Sequence, residues 1–335
     1  MRTLEIIVTH WTEPWETGKK FFDMLAMQRG ADFSRIRVSI INDGPDNRLP
    51  DECFSGYPYE VRQVCIEHAG ISAARNAGID WAEARWIQFC DFDDMYAGVY
   101  SLRNMLDVLE TDEYDILWQT FYAEDKRKYG GTVLHLRGDN TVFIHGKMFR
   151  LAWLKKSMLR FDEGMIFNED SAFCTIASLM VPHQRIGQIN SEAPGYVWCY
   201  REGSSTGSQI NKPQAMIGSW QRDRKVTEAY KQYTNEKRHA AMVARTVCDA
   251  YWMFCLEKIP EELKEAVEEF KAWFAENRVF FEKVNRDDLR EAAVASKREH
   301  DVAVLEEEER WGDDGRTVHR NIKLREWLKE VSGDV

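Results

Sequence analysis

Apolar residues recur in short runs over the first 120 residues, and their spacing alternates between two periods. Runs rich in β-branched and aromatic residues predict strands at 4–9, 36–41, 59–66, 86–90 and 114–119. Helical spacing lies between them, at 16–28, 70–84 and 98–110. Strands that alternate with helices predict an α/β fold with a mostly parallel, doubly wound sheet, whose site lies at the carboxyl ends of the strands.

The pattern becomes wholly helical after Lys212-Pro213. Helical runs follow at 214–233, 236–258, 261–284, 286–309 and 318–331. We therefore expect two domains, an α/β domain at 1–211 and a helical domain at 212–335. The helical domain carries no recognisable motif, and it could complete an acceptor pocket, form a homo-oligomer or dock on another protein.

Composition narrows the class of protein. The chain has 335 residues and a net charge of −11, which argues against nucleic acid as a partner because no positive field attracts phosphates. Seven cysteines without paired spacing indicate reduced thiols and a cytoplasmic location. No apolar run reaches the ~18 residues of a membrane span, so we expect no transmembrane segment.

Three carboxylates in four residues end the strand at 86–90. The segment reads Cys90-Asp91-Phe92-Asp93-Asp94. Acids packed so closely raise each other's pKa unless a cation compensates them. Asp91 and Asp93 leave an extended strand on the same side, so both could bind one hard cation such as Mn²⁺ or Mg²⁺. On this segment alone, a solvated acidic turn is an equally good interpretation.

Several segments occur in an order that is typical of one enzyme family. They are Asn42-Asp43-Gly44-Pro45, Glu67 to Ile79, Asp91 to Asp94, His145 to Arg150, Phe161-Asp162-Glu163 and Asn168-Glu169-Asp170. Over about residues 3–210 they resemble the family 2 glycosyltransferases. The resemblance implies an inverting enzyme with the GT-A fold, whose nucleotide-sugar-binding catalytic domain would be residues 1–211.

The resemblance also implies a binding site for a nucleotide-diphosphate sugar. Thr9, which replaces the family's usual proline, and Trp11 fall in its donor-binding part, and Trp11 could stack on the base or simply pack at a strand end. Asp43 could accept a hydrogen bond from a uracil-type imide N–H, or it could only form a turn before Gly44. Arg75 could bind the base or the diphosphate, or it could pair with a carboxylate as a structural residue.

The acidic segment and a late loop complete the donor site that the resemblance implies. Asp93 is the expected metal ligand, while Asp91 would contact the ribose or donor sugar and could share the metal. Asp94 would face the sugar or the acceptor. Arg201 and Ser204 lie in a loop that could close over the diphosphate, or that could be an ordinary connection.

The expected catalytic base is Asp170. An inverting transfer needs a carboxylate that takes the proton of the attacking hydroxyl, and the family's Glu-Asp pair corresponds to Glu169 and Asp170. The alternative is a helix at 169–180 that Asn168 caps, with both acids favoured by its dipole; both interpretations can hold together. The histidines, His145 among them, are expected to be hydrogen-bonded structural residues.

We therefore expect a metal-dependent, inverting transfer of a single sugar from a nucleotide-diphosphate sugar, most simply a UDP-sugar. The acceptor would be a hydroxyl on a glycan or a cell-surface polymer. The absence of a Gln-x-x-Arg-Trp segment disfavours a processive polymerase. The alternative is a catalytically inactive GT-A-like module that binds a sugar nucleotide or glycan; nucleotidyl transfer is disfavoured because the sequence lacks a glycine-rich phosphate loop.

Overall fold

The computed structural model describes residues 2–126, 130–138, 142–189, 194–201, 212–295 and 322–333. The chain divides into two compact units. The first comprises Met1–Met165 and Glu169–Gln209, and the second comprises Ile166–Asn168 and Ile210–Val335. The boundary predicted after residue 211 adjoins the segment 202–211, which lies outside the described residues, and the two-domain assignment stays a prediction.

The strands of the first unit form two sheets. They are β1 (Leu4–His10), β2 (Ile36–Asp43), β3 (Glu60–Ile66), β4 (Trp86–Asp91), β5 (Met95–Tyr96), β6 (Ile116–Trp118), β7 (Phe121–Lys126), β8 (Thr132–Arg137), β9 (Lys147–Arg150), β10 (Ile186–Gln188) and β11 (Tyr196–Trp198). The larger sheet has the order β10-β6-β9-β4-β1-β2-β3, and β9 is antiparallel to both of its neighbours. The smaller sheet has the order β5-β11-β7-β8.

Helices cover both faces of the larger sheet. They are α1 (Trp15–Ala26), α2 (Ile71–Trp81), α3 (Ser101–Leu109), α4 (Leu151–Ser157) and α5 (Glu169–Met180). Leu4, Ile6 and Val8 of β1 pack with α1 and α3, whereas Ile7 packs with α2, α4 and α5. This alternation follows from the two-residue period of a strand. It confirms the predicted α/β class with a mostly parallel sheet.

Gly78 brings α2 unusually close to β1. A Cβ atom added at Gly78 would lie 2.4 Å from Cγ2 of Ile7, a separation that would force one of the two elements to move. The glycine of the Ala-Arg-Asn-x-Gly-Ile segment therefore serves packing. Because α2 lies tight on the sheet, its amino-terminal residues are placed at the carboxyl ends of the strands.

The second unit is helical within its described residues, as predicted. Its elements are α6 (Lys212–Tyr233), α7 (Glu236–Phe254), the short 3₁₀ helix Glu261–Leu263, α8 (Lys264–Phe281), α9 (Arg286–Ala295) and α10 (Leu324–Ser332). Its core is aromatic: Trp220 is fully buried and its ring contacts Phe270 and Trp273. These tryptophans therefore contribute to packing, and they present no free stacking surface.

Candidate active site

The carboxyl ends of the parallel strands bring the predicted donor-site residues to one edge of the larger sheet. Strand β1 pairs with β2 on one side and with β4 on the other, and Thr9 is the register partner of Asp91. Asp43 ends β2 and Asp91 ends β4. The three positions that the sequence placed after separate strands therefore lie side by side, as the sheet topology requires.

The side of this edge where we predicted base binding contains a stacked pair of rings. Trp11, half exposed, lies against His68 with ring centroids 5.3 Å apart and planes 13° apart. His68 Nδ1 lies 2.9 Å from Oδ2 of Asp43. The same carboxylate accepts the backbone N–H groups of Ala69 and Gly70 at 2.8 and 3.0 Å. Asp43 thus fixes the loop that leads into α2, and its contact with a base stays a prediction.

Arg75 is a buried cation shared by two carboxylates. Its Nη2 donates to Oδ1 of Asp91 at 3.1 Å, and its Nη1 donates to Oε1 of Glu169 at 2.8 Å. The guanidinium carbon also lies 5.3 Å from the ring centre of Phe161. Burial alone would lower the pKa of Arg75, but the two carboxylates raise it above its ordinary value. Arg75 therefore joins the end of β4 to the start of α5.

The neighbouring Asn76 clamps a distant segment of chain. Its Nδ2 donates to the carbonyl of Phe161 at 2.9 Å, and its Oδ1 accepts the N–H of the same residue at 2.8 Å. The Nδ2 group also donates to Oε1 of Glu163 at 2.9 Å. Residues Arg75 and Asn76 therefore hold the segment before α5 and the first residue of α5 against α2.

Asp94 is the innermost carboxyl of the acidic turn. It is fully buried, and its oxygens accept hydrogen bonds from the hydroxyl of Tyr196 at 2.5 Å and from the N–H of Cys199 at 2.8 Å. Burial, with Asp91 and Asp93 nearby, raises the pKa of Asp94 well above its ordinary value. Its contacts anchor the acidic turn to β11, and its predicted contact with sugar or acceptor stays a prediction.

Asp93 lies nearer the surface and has a cationic partner. Its Oδ2 accepts the Nε–H of Arg201 at 2.6 Å, and Nη2 of Arg201 donates to Oε1 of Glu13 at 3.1 Å. Burial and the charge of Asp91 raise the pKa of Asp93, while Arg201 opposes this rise. Arg201 is thus placed beside the expected metal ligand. Ser204 lies outside the described residues.

Asp91 has the lowest proton affinity of the three aspartates. Burial would raise its pKa, but the guanidinium of Arg75 holds it below the ordinary value. In the adjacent helix, burial raises the pKa of Glu169 although Arg75 opposes it. Asp91 is therefore the carboxylate of the turn that stays ionised most readily.

Asp170 occupies the first turn of α5, next to Glu169. The helix spans Glu169–Met180, as the capping interpretation predicted. Oδ1 of Asp170 accepts the N–H of Ser171 at 2.7 Å, and the side chain is partly exposed. Glu169 is buried against Arg75, so Asp170 is the more accessible acid of the pair. Its role as a base is not tested by this arrangement.

His145 adds a nitrogen that the sequence did not single out. Asp91, Asp94 and His145 each offer one ligand atom, and these atoms lie within 4.8 Å of one another. His145 is buried and stacked on Tyr196 at 5.6 Å, its Nδ1 has no hydrogen-bond partner among the described residues, and burial lowers its pKa. Mn²⁺ and Mg²⁺ prefer oxygen ligands, so the carboxylates of the turn fit such a cation, and the imidazole nitrogen is the softer donor of the cluster.

The three aspartates of the acidic turn are not equivalent as metal ligands. Both oxygens of Asp94 already accept hydrogen bonds, and its raised pKa opposes ionisation. Asp93 is less buried, and its partner Arg201 has a side chain 37% exposed. Physical accessibility therefore favours Asp91 and Asp93 over Asp94, although the ligand atoms of Asp94 are closer to those of His145.

Comparison with known proteins identifies the class of this site. The sequence profile described as Glycosyl transferase family 2 matches residues 5–173, about half of the chain. The glycosyltransferase EpsJ of Bacillus subtilis is 26% identical over 204 residues, 55% of this chain and 57% of that protein. The minor teichoic acid biosynthesis protein GgaA of the same organism is 27% identical over 173 residues, 46% of this chain and 38% of that protein.

A solved structure shares the fold over nearly the whole chain. Residues 1–349 of S. aureus TarS, in complex with UDP-GlcNAc, superpose with a TM-score of 0.61 and 16% identity, covering 96% of this chain and 97% of that one. The fold and the motif order together define a glycosyltransferase with a GT-A-like fold. The chain belongs to glycosyltransferase family 2, which confirms the resemblance seen in the sequence.

Two further facts limit the comparison. The chain spans little more than half of EpsJ and well under half of GgaA, so the activities of those whole proteins are not transferred to it. Within the residues that the structure describes, no helix combines the length and the apolar character that a membrane crossing requires.

Proposed function

We propose that this chain transfers a single sugar from a UDP-sugar to a hydroxyl group of a glycan or cell-surface polymer, with inversion at the anomeric carbon. The observation that carries the proposal is the bridge made by Arg75. It joins Asp91 of the acidic turn to Glu169 of α5 and so keeps Asp170 on the same edge of the sheet as the donor-site residues. A metal site and a base on one edge are what an inverting transfer requires.

Asp91 and Asp93 are the residues that we propose to hold Mn²⁺ or Mg²⁺. When bound, the cation would neutralise the charge that develops on the leaving diphosphate. Arg75 keeps Asp91 ionised, which prepares that carboxylate for a cation. Arg201, beside Asp93, can donate charge-assisted hydrogen bonds to phosphate oxygens.

Asp170 is the proposed catalytic base. Its neighbour Glu169 is buried and bound to Arg75, so Glu169 cannot readily turn toward an acceptor. Asp170 is partly exposed, and it accepts a local hydrogen bond from the N–H of Ser171. A carboxylate in this position can take the proton of an acceptor hydroxyl as the oxygen attacks, and such a base contributes about 10²–10⁴-fold to the rate.

The proposed donor and acceptor rest on the edge near Trp11 and on the comparisons. Trp11 offers a half-exposed indole face beside Asp43, where a flat base could stack. TarS has been crystallised with UDP-GlcNAc, and GgaA is named for teichoic acid biosynthesis. These similarities support a UDP-sugar donor and a polymer hydroxyl as acceptor.

The first experiment is a thermal-shift screen of UDP-, GDP- and dTDP-sugars with Mn²⁺, since only a ligand that binds the folded state raises the unfolding midpoint. The stabilising donor is then used to measure sugar transfer and donor hydrolysis with Mn²⁺ and with EDTA. An unfolding midpoint that rises with GDP- or dTDP-sugars alone would contradict uracil as the nucleobase of the donor. Donor binding without turnover would favour the inactive binding module.

Asp170→Asn tests the base. We expect transfer to fall by about 10²–10⁴-fold while donor affinity stays near that of the wild type. Asp80→Asn, the same change in an exposed acid near the carboxyl end of α2, is the matched control. A large loss of donor affinity in Asp170→Asn would remove Asp170 from the base position. Activity that survives both EDTA and Asp93→Ala would refute the metal role.

A further inference from the structure

Arg201 holds two carboxylates that come from different parts of the chain. Its Nε–H donates to Oδ2 of Asp93 at 2.6 Å, and its Nη2 donates to Oε1 of Glu13 at 3.1 Å. The other oxygen of Glu13 accepts the backbone N–H of Trp11 at 3.0 Å. The expected metal ligand is therefore already neutralised by a cation of the protein itself, and that cation is tied to the loop that carries Trp11.

We propose that Arg201 competes with the divalent cation for Asp93, and that Glu13 is the positioning residue that holds Arg201 after it leaves Asp93. The inference rests on the proposed function, because it takes Asp93 as a metal ligand. A guanidinium N–H and a metal ion cannot both lie on the same face of one carboxylate oxygen, since the two positive charges repel. To bind Oδ2 of Asp93, the cation must therefore displace Arg201.

The competition makes metal binding depend on the donor. Without a donor, the cation must break the Arg201–Asp93 pair, and Arg201 keeps Glu13 as its remaining anionic partner. With a diphosphate present, the released guanidinium has a new partner with several acceptor oxygens. Metal and diphosphate should therefore bind cooperatively, and by linkage each raises the affinity of the other by the same factor.

Glu13 makes it easier for the cation to displace Arg201 from Asp93. All three side chains are partly exposed, at 37% for Arg201, 17% for Asp93 and 19% for Glu13, so the pairs can exchange without a large change in burial. If Glu13 is neutralised, Arg201 has no second carboxylate when it leaves Asp93. The metal alone should then bind more weakly, which is the opposite of the effect of neutralising Arg201.

The test is an EPR titration of free Mn²⁺ with the full chain, first without nucleotide and then with UDP. We compare the wild type with Arg201→Gln, Glu13→Gln, the double variant and the control Arg85→Gln. Arg85 pairs with Asp112 beside the amino end of β4, about 20 Å from Asp91 at the rise of a strand. At that separation, screening by salt removes most of its effect on the site.

We expect Arg201→Gln to bind Mn²⁺ alone about 2- to 5-fold more tightly than the wild type, the range of a partly exposed charge pair. Glu13→Gln should bind Mn²⁺ about 2- to 5-fold more weakly. Glu13→Gln should reduce Mn²⁺ affinity less in the Arg201→Gln background than in the wild type, because Glu13 acts partly through Arg201. UDP should tighten Mn²⁺ binding less in Arg201→Gln than in the wild type.

Three results would overturn the competition. They are Mn²⁺ affinity in Arg201→Gln that equals or falls below the wild type, an equal gain in Arg85→Gln, and undiminished coupling to UDP in Arg201→Gln. Circular dichroism of each variant checks that the fold is kept. Because the readout is Mn²⁺ binding, it stands apart from transfer: a protein that shows the competition but transfers no sugar contradicts only the proposed activity. A protein that binds no Mn²⁺ in any variant refutes both.

Discussion

Replacing Arg75 with methionine should leave the charges of Asp91 and Glu169 without the cation that now compensates them. The side chain of Arg75 is 3% exposed, and it serves Asp91 at 3.1 Å and Glu169 at 2.8 Å. Methionine keeps the length and apolar contacts of the stem but removes the cation. Two carboxylates would then remain close together in a buried site with no positive partner among their present contacts.

The size of the effect follows from the burial of the two acids. Breaking a buried ion pair by removing one partner costs about 3–5 kcal/mol. Glu169 is 11% exposed and Asp91 is 24% exposed, so water screens part of the Asp91 charge. We therefore expect the lower end of the range, about 3 kcal/mol at neutral pH, which is a shift of about 1 M in a urea midpoint.

The loss of unfolding free energy in Arg75→Met should depend on pH with a definite sign. In the wild type the pKa of Asp91 lies below its unfolded value, so the stability from that carboxylate is present above pH ~4 and is lost as pH falls through the folded pKa. The pKa of Glu169 is raised, so its ionisation already opposes folding as pH rises. Without Arg75 both pKa values rise, and the deficit of Arg75→Met relative to the wild type should grow from pH ~4.5 to pH ~7.

Urea unfolding at both pH values measures this deficit, with amide exchange of β4 followed in parallel because the chain has two units. The control is Arg75→Met in a chain that also carries Asp91→Asn and Glu169→Gln. Neutral partners should recover much of the loss, since no buried charge is left uncompensated. A deficit that is equal at both pH values, or that persists with neutral partners, would mean that Arg75 acts through packing alone.

Gly78→Ala should destabilise the first unit by about 1–3 kcal/mol, because the new Cβ would lie 2.4 Å from Ile7. In an Ile7→Ala background the same change should lower the urea midpoint less. Losses that simply add in the double variant would contradict the contact. Tyr196→Phe should cost about 1–3 kcal/mol by removing the hydroxyl that Asp94 accepts at 2.5 Å. Tyr100→Phe at a half-exposed position is its control, and equal unfolding midpoints for the two variants would refute the hydrogen bond's contribution.

The larger sheet could be predicted from the sequence because its strands are continuous apolar runs. Strands predicted at 36–41 and 86–90 correspond to Ile36–Asp43 and Trp86–Asp91, and both are buried on two faces. The smaller sheet was not predicted. Strand β5 has two residues and pairs with the distant strand β11, whereas β8 is mostly exposed and pairs with the neighbouring β7, so neither gives a clear apolar period of two.

Part of the candidate site could likewise be predicted from the sequence, and part could not. The sequence placed Asp91, Arg75 and Glu169 in motifs, and the parallel sheet brings them together. The sequence did not indicate that Arg75 bridges residues 91 and 169, or that Arg201 contacts Glu13, which lies 188 positions earlier in the chain. Such pairs depend on the folded arrangement. Glu13 stands in no pattern that would single it out, and His145, although it begins one of the motif segments, was expected to be a structural residue.

Three adjacent carboxylates can coexist in the acidic turn because three separate parts of the chain compensate them. Arg75 of α2 serves Asp91, while β11 and the residue after it supply the hydroxyl of Tyr196 and a backbone N–H for Asp94. Arg75, Tyr196 and Asp94 are buried, so both arrangements should persist during a reaction cycle. Asp93 differs because its cation, Arg201, is partly exposed and can leave. The turn is therefore preorganised around two fixed carboxyls and one exchangeable carboxylate, and the exchangeable one is where a metal ion can enter.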